Sequence, residues 1–450
     1  MRCKMEKLRW LITSSVSLAI AIVLLLIFSG GAQALMLKMT LEELTAGADS
    51  VLVGTVVSST SNWNADHTNI YTEVVVSITD VLKGDTGENT VTVILPGGTV
   101  GETWQWVEDQ PVFKVGENAG LFLEELNSAG LARMGLGGMP QLVAGSPATV
   151  YGGFQGKMSF TEDNSGTLSR ISPDEFKQNV SLALSGQPVP EVQNVPSIME
   201  VISNQTISGI NPNIASAGTN SLVTLTGSGF GTKGSNDHLV FYFLTSGSTD
   251  WFMYDDSQIV SWSDTQIQGY VPIDTIPGDY PYSACSGPVA VYKNGSWGNL
   301  IPITVTFGYG QYKWPGTGPT VTYRINDGGV AGRLAAVQSA ANTWVNASAN
   351  FSFSYGGTTS ATTKSQNGVN EILWEDLPAG TVGQTYGWGS GGTITECDTS
   401  FNTDYVWNTA VTCPAGQYDV PFIGTHEIGH WLNLRDLYGP SLSFPAIVTL

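Results

Sequence analysis

HEIGHWLNLRDLYG, residues 426–439, is the stretch on which the C-terminal part of the chain is read. Its first five residues, His426-Glu427-Ile428-Gly429-His430, place two imidazoles at i and i+4, one turn apart on a single helix face. Two such rings can share one Zn²⁺, and Glu427 on the same turn is then the general base for a metal-bound water. Ile428, Gly429, Trp431, Leu432 and Leu434 make the surrounding helix apolar, as a metal helix inside a core requires. The chain has 4 His. The other two, His67 and His238, fall in separate segments and read as surface or packed side chains. The third ligand is therefore not expected to be His, and Asp436 is the candidate.

Upstream, TVTYRIN reads as a strand. Val330–Val345 reads as a helix with Leu334, Val337, Ala341, Trp344 and Val345 on one face. FSFSY and GVNEILWED read as two more strands. A strand–helix–strand–strand order implies an α/β or α+β unit over residues 308–450.

The string 426–439 resembles the metzincin zinc motif H-E-x-x-H-x-x-G-x-x-H, with Asn433 in place of Gly and Asp436 in place of the third His. Asn is, after Gly, the residue most tolerant of the left-handed turn that must deliver the third ligand. TVTYRINDGG, AVQSAANTWVNAS and FSFSYGG are similar to the elements preceding the zinc helix in matrixin-like proteases. GQTYGWGSGGTITECDTSFNTDYVW, residues 383–407, is similar to their edge-strand region, where an extended substrate backbone pairs with the sheet. The resemblance covers about 130 residues. It implies a secreted zinc endopeptidase with His426, His430 and Asp436 on the metal, Glu427 as base, a protein or peptide substrate, and structural Ca²⁺ as a further option. Two departures stand out. The Met-turn has no place after Asp436, since the last Met is Met253 and 14 residues follow Asp436; an incomplete, truncated peptidase module is the expectation. Matrixins are often silenced by a pro-segment Cys, and no Cys lies between Cys3 and Cys285, which excludes such a thiol switch in residues 35–185.

Residues 207–307 read as all-β. ISGINPNIASAGTNSLVTLTGSGFGTKG, IVSWSDTQIQGYVP and GPVAVYKNGSWGN resemble an IPT/TIG domain, a small immunoglobulin-like sandwich. Gly229 to Gly234 also matches G-x-G-x-x-G, but no helix pattern follows, so a dinucleotide site is rejected. SGQPVPEVQNVPS opens a Pro-rich linker, 186–206. Residues 35–185 carry five β-branched runs (Val51–Val57, Tyr71–Leu82, Val91–Leu95, Val112–Leu123 and Thr149–Phe160) and suit a small barrel or sandwich. TLEELTAGA gives this segment a short opening helix. A closing helix is capped by Ser172 with Pro173 at its first position.

Residues 1–34 combine Arg2, Lys4, Lys7 and Arg9 with an apolar run and Ala32-Gln33-Ala34, the pattern of a secretory signal peptide. An uncleaved anchor is the alternative, and the only route to a membrane. Cys397 and Cys413 are the disulfide candidate, because export permits one. The 450-residue chain has 18 Lys+Arg against 38 Asp+Glu, a net charge of −20, which argues against nucleic-acid binding. The fold class expected is therefore multidomain: a β-barrel or sandwich, an immunoglobulin-like sandwich and an α+β metzincin-like unit. The competing functional reading is an extracellular binding or adhesion protein carrying an inactive peptidase module.

Overall fold

The computed structural model describes residues 36–437 except 38, 86, 138–146, 161–166, 170–171, 191–204, 247–248, 254, 274–282, 311 and 348–349. The expected signal peptide, most of the linker and the tail after Leu437 lie outside the described residues. Among the described residues no helix is long and apolar enough to cross a membrane. The fold is mostly β-sheet, in several sheets, one of them closing a five-stranded barrel.

The barrel follows from long β-branched runs. β1 (Ser50–Trp63), β2 (Ile70–Lys83) and β3 (Thr90–Pro96) form an antiparallel meander. Between β3 and the next barrel strand the chain leaves to form a hairpin, β4 (Gly98–Val100) and β5 (Thr103–Val107). β6 (Asn118–Glu125) and β7 (Ala148–Val150) then complete the ring β1-β2-β3-β7-β6, with β6 pairing back to β1, and β8 (Lys157–Ser159) extends it. Leu52, Val56, Val74, Val76, Val93 and Leu121 fill the interior. The run expected at Val112–Leu123 starts as a strand only at Asn118, because Gly116 takes a left-handed turn (φ 89°) before it. Thr149–Phe160 is split by a 3₁₀ turn at Gly153–Gly156. Helix α1 (Leu41–Gly47) has a full capping box between Thr40 and Glu43. Helix α2 (Ser128–Arg133) is capped by Asn127, and α3 (Pro173–Leu184) by Ser172.

The middle unit is a two-sheet sandwich. One sheet runs β10 (Thr206–Asn211), β12 (Leu222–Ser228), β16 (Gln266–Tyr270), β15 (Ile259–Trp262). The other runs β11 (Ile214–Ala217), β19 (Ile301–Tyr309), β17 (Gly287–Lys293), β13 (His238–Ser246), β14 (Thr249–Met253), β9 (Thr167–Ser169), with β18 (Ser296–Trp297) on β17. The strand β9 is contributed by the segment that follows the barrel. Gly229 to Gly234 lies in irregular chain leading to β13, with no helix behind it.

The C-terminal unit is a seven-stranded sheet, β21-β20-β22-β24-β23-β5-β4. β20 (Thr320–Ile325), β21 (Ser352–Thr358), β22 (Asn370–Glu375) and β24 (Thr393–Asn402) are mutually parallel, and β23 (Gly383–Ser390) is antiparallel to β24. A two-stranded bridge, β25 (Trp407–Asn408) with β26 (Tyr418–Asp419), leads into the last helix. Helix α4 (Arg333–Asn346) buries Ala336, Val337, Ala340, Ala341 and Trp344, close to the expected face, and packs on α5 (Val420–Trp431). The helices approach closely: a Cβ at Gly424 would stand 3.1 Å from Ala340 Cβ. The Trp344 indole donates to the Thr425 carbonyl at 2.7 Å. Each large side chain buried here stabilises by roughly 1.5–3 kcal/mol. After α5, β27 (Leu434–Arg435) pairs with β19, so the chain end is sewn to the sandwich, and Leu437 enters the sandwich core.

The disulfide expectation is corrected. Cys397 and Cys413 are not joined. The Cys397 thiol points from β24 into the core beneath the sheet, and burial pushes its pKa well up. The Cys413 sulfur sits on the loop before β26, facing the Gln417 carbonyl at 3.2 Å. Nearness in sequence did not carry the two sulfurs together.

Candidate metal centre

Helix α5 starts where Asp419 caps it, its carboxylate accepting from the Phe422 N–H at 2.8 Å. From this start, one turn brings His426 and His430 to the same side, with Nε2 atoms 3.1 Å apart. The helix ends at Trp431, and Asn433 takes the left-handed conformation (φ 60°), as its residue type led us to expect. The turn is fixed from outside: the Asn433 side chain accepts from the Tyr312 N–H at 2.9 Å and its carbonyl accepts from the Gly310 N–H at 2.9 Å. Three residues on, Asp436 Oδ1 lies 3.0 Å from His426 Nε2 and 3.7 Å from His430 Nε2. His430 Nδ1–H donates to the Leu434 carbonyl at 2.8 Å, which leaves Nε2 as the lone-pair nitrogen facing the cluster.

A fourth group completes the cluster, and sequence reading did not find it. Glu108, just past β5 in the N-terminal segment, puts Oε1 3.1 Å from His430 Nε2 and 3.5 Å from His426 Nε2. The ligand atoms of Glu108, His426, His430 and Asp436 all lie within 4.8 Å of one another, and all four residues are buried. The five of these six separations that involve an imidazole span 3.0–3.7 Å, while ligand atoms about 2.0–2.1 Å from one tetrahedral ion stand about 3.3–3.4 Å apart; the two carboxylates lie within 4.8 Å of each other. The group can hold a metal ion. It is the one such convergence among the described residues, so no second group supports the calcium expectation.

Glu427 points beside the cluster and is fully buried. Its Oε2 accepts from the Thr385 hydroxyl at 2.6 Å. Thr385 in turn meets the Thr399 hydroxyl at 2.7 Å, and Trp431 Nε1–H donates to Thr399 at 2.9 Å. Thr385 gives its one hydroxyl proton to Glu427, so Thr399 donates to Thr385 and accepts from the Trp431 indole. Burial pushes the Glu427 carboxyl well above the usual carboxylate range, and the neighbouring Glu108 adds to this. The same burial, with Asp109 and Asp436 nearby, raises Glu108. Burial lowers His426 to about 4, so its ring is neutral and ready to ligate. A Cβ on Gly383 would stand 2.5 Å from Glu427 Oε1, so β23 needs glycine at this point.

The structure unites His426, Glu427, His430 and Asp436, and keeps His67 and His238 away. His67 sits in the β1–β2 turn with its ring stacked on Trp63, and His238 bonds Asp256 at 3.1 Å. For Glu108 the sequence carried only a weak signal: in TWQWVE, residues Trp104, Trp106 and Glu108 alternate along one strand face. No family model matches this chain, and no curated protein does.

Proposed function

We propose that the C-terminal unit is a zinc-dependent endopeptidase, with His426, His430 and Asp436 as metal ligands and Glu427 as general base. The observation that supports this best is the convergence of two Nε2 atoms and a carboxylate oxygen on one point while Glu427, from the same helix, stands beside it. Imidazole with carboxylate and a near-tetrahedral spacing suits zinc among the common ions. A zinc ion there would supply Lewis acidity to a water and to the scissile carbonyl. The residues do the rest. Glu427 takes the proton of the attacking water and returns it to the leaving amine. Thr385 fixes the carboxylate through its hydroxyl, and the side of β23 that β5 covers is the one an extended peptide would use once β5 is displaced. The likeness of residues 308–450 to matrixin-like metzincins and of 207–307 to IPT/TIG domains supports the same reading, with the sandwich as a spacer and secretion as the setting.

The second reading is an extracellular binding protein whose module is inactive. One observation favours it: with Glu108 in place, four protein side chains surround the metal position, and closed four-ligand sites are the structural kind. Two measurements decide. Zinc per mole of full chain should be near one, fall to near zero in His430→Ala and persist in Glu427→Ala. Peptide hydrolysis, measured with Glu108 replaced by Ala, should drop about 10²–10⁴-fold when Glu427→Ala is added. Hydrolysis unchanged by Glu427→Ala would sink the peptidase assignment, and a zinc-free parent would sink the metal site.

A further inference from the structure

We infer that Thr103–Glu108 is a built-in inhibitor of this site: a self-peptide lying where substrate would lie, with a carboxylate in the metal position that catalysis needs open. The inference rests on the zinc-peptidase reading.

Three observations converge on it. First, β5 covers the outer edge of β23 in antiparallel register, from Ser390 opposite Thr103 to Tyr386 opposite Val107. The pairing continues as the Glu108 N–H donates to the Thr385 carbonyl at 3.1 Å. A peptide added to this edge would use the same backbone groups. Second, Glu108 is held by both oxygens. Oε1 faces the two imidazoles, and Oε2 accepts from the Thr385 N–H at 2.9 Å. Third, the edge is shaped for these residues. Trp104 stacks on Tyr312 with centroids 4.7 Å apart and donates to the Gly391 carbonyl at 2.9 Å. A Cβ on Gly389 would come within 2.2 Å of the Trp104 ring, and the Trp106 ring lies 5.2 Å from His430.

The hairpin is no strand of its parent barrel, and side-chain bonds such as those joining Gln105 to Ile70 and Asn69 tie it there. The barrel closes as β1-β2-β3-β7-β6 without β4 or β5. Withdrawing the hairpin therefore breaks no barrel strand, but it uncovers the β23 edge and frees the fourth metal position together.

The test uses the full chain loaded with Co²⁺, whose visible absorption reports the ligand set, titrated with acetohydroxamate as a small metal-binding probe. The parent should bind one Co²⁺ and show no spectral change with hydroxamate. Glu108→Ala should bind Co²⁺ with an altered spectrum and take up hydroxamate about 100-fold more tightly or better, because an intramolecular ligand acts at millimolar or higher effective concentration. Glu108→Gln, of the same size, should behave like Glu108→Ala if the alanine variant fails to fold. A parent that takes up hydroxamate as readily as either variant overturns the inhibitor while leaving the metal site standing. Failure of every chain to bind Co²⁺ overturns the metal site itself, and this inference with it.

Discussion

Asn433 offers a direct test of how the third ligand is delivered. The residue is buried, holds φ at 60°, and accepts from the Tyr312 N–H. Consider Asn433→Gly and Asn433→Ala. Both remove the acceptor, so both carry the same loss, about 1–3 kcal/mol for a donor left without its partner. They differ in the backbone alone. Glycine enters the left-handed region freely, whereas alanine bears about 1–2 kcal/mol there. If the metal holds the turn in place, that difference appears in metal affinity, as a roughly 5- to 30-fold weaker binding constant for the alanine variant. If β27 and Gly310 hold the turn without metal, it appears in the melting of the metal-free chain. The assays are zinc competition against a chromophoric chelator and calorimetry in chelator. Their combined alanine-minus-glycine difference should fall near 1–2 kcal/mol. Two variants matching in both assays would refute the claim that the left-handed turn aims Asp436.

Further outcomes are expected. Thr385→Val removes the donor that holds down the Glu427 pKa, so in a Glu108→Ala background the acid limb of the pH–rate profile should move to higher pH; a limb that stays put would exclude Thr385 from tuning the base. Gly424→Val drives a side chain into Ala340 across the α4–α5 contact and should cost about 1–3 kcal/mol, seen as a lower melting temperature. Zinc at about 1,000 times its Kd should stabilise the chain by about 4 kcal/mol, and His426→Ala should abolish that thermal shift.

The centre was partly legible in the sequence, for identifiable physical reasons. His426, Glu427 and His430 could be read because helix geometry alone places them. Asp436 could be read because Asn433 is one of the few residue types that turns left-handed at low cost, and the structure has it do so. Glu108 could not be read this way. It meets His430 across 322 positions, through a strand that left its own barrel for another unit's sheet. Period-2 patterning reveals a strand in TWQWVE but never says which edge it will join. The Cys397–Cys413 expectation failed for the same reason in reverse: adjacency in sequence stood in for geometry, while β24 turned one thiol into the core. The barrel was legible because its strands are long, β-branched and locally connected.

The seam between β27 and β19 has a thermodynamic consequence. Glu108 is anchored by the barrel's excursion, His426 and His430 by α5, and Asp436 by a strand that belongs to the sandwich sheet, with Leu437 in the sandwich core. An ion bound by all four would be a keystone shared among three units. Metal affinity and inter-unit cohesion then become reciprocal quantities. Loosening the sandwich should release metal through Asp436 alone, and chelation should raise amide exchange along β19, which pairs with the strand leading into that ligand.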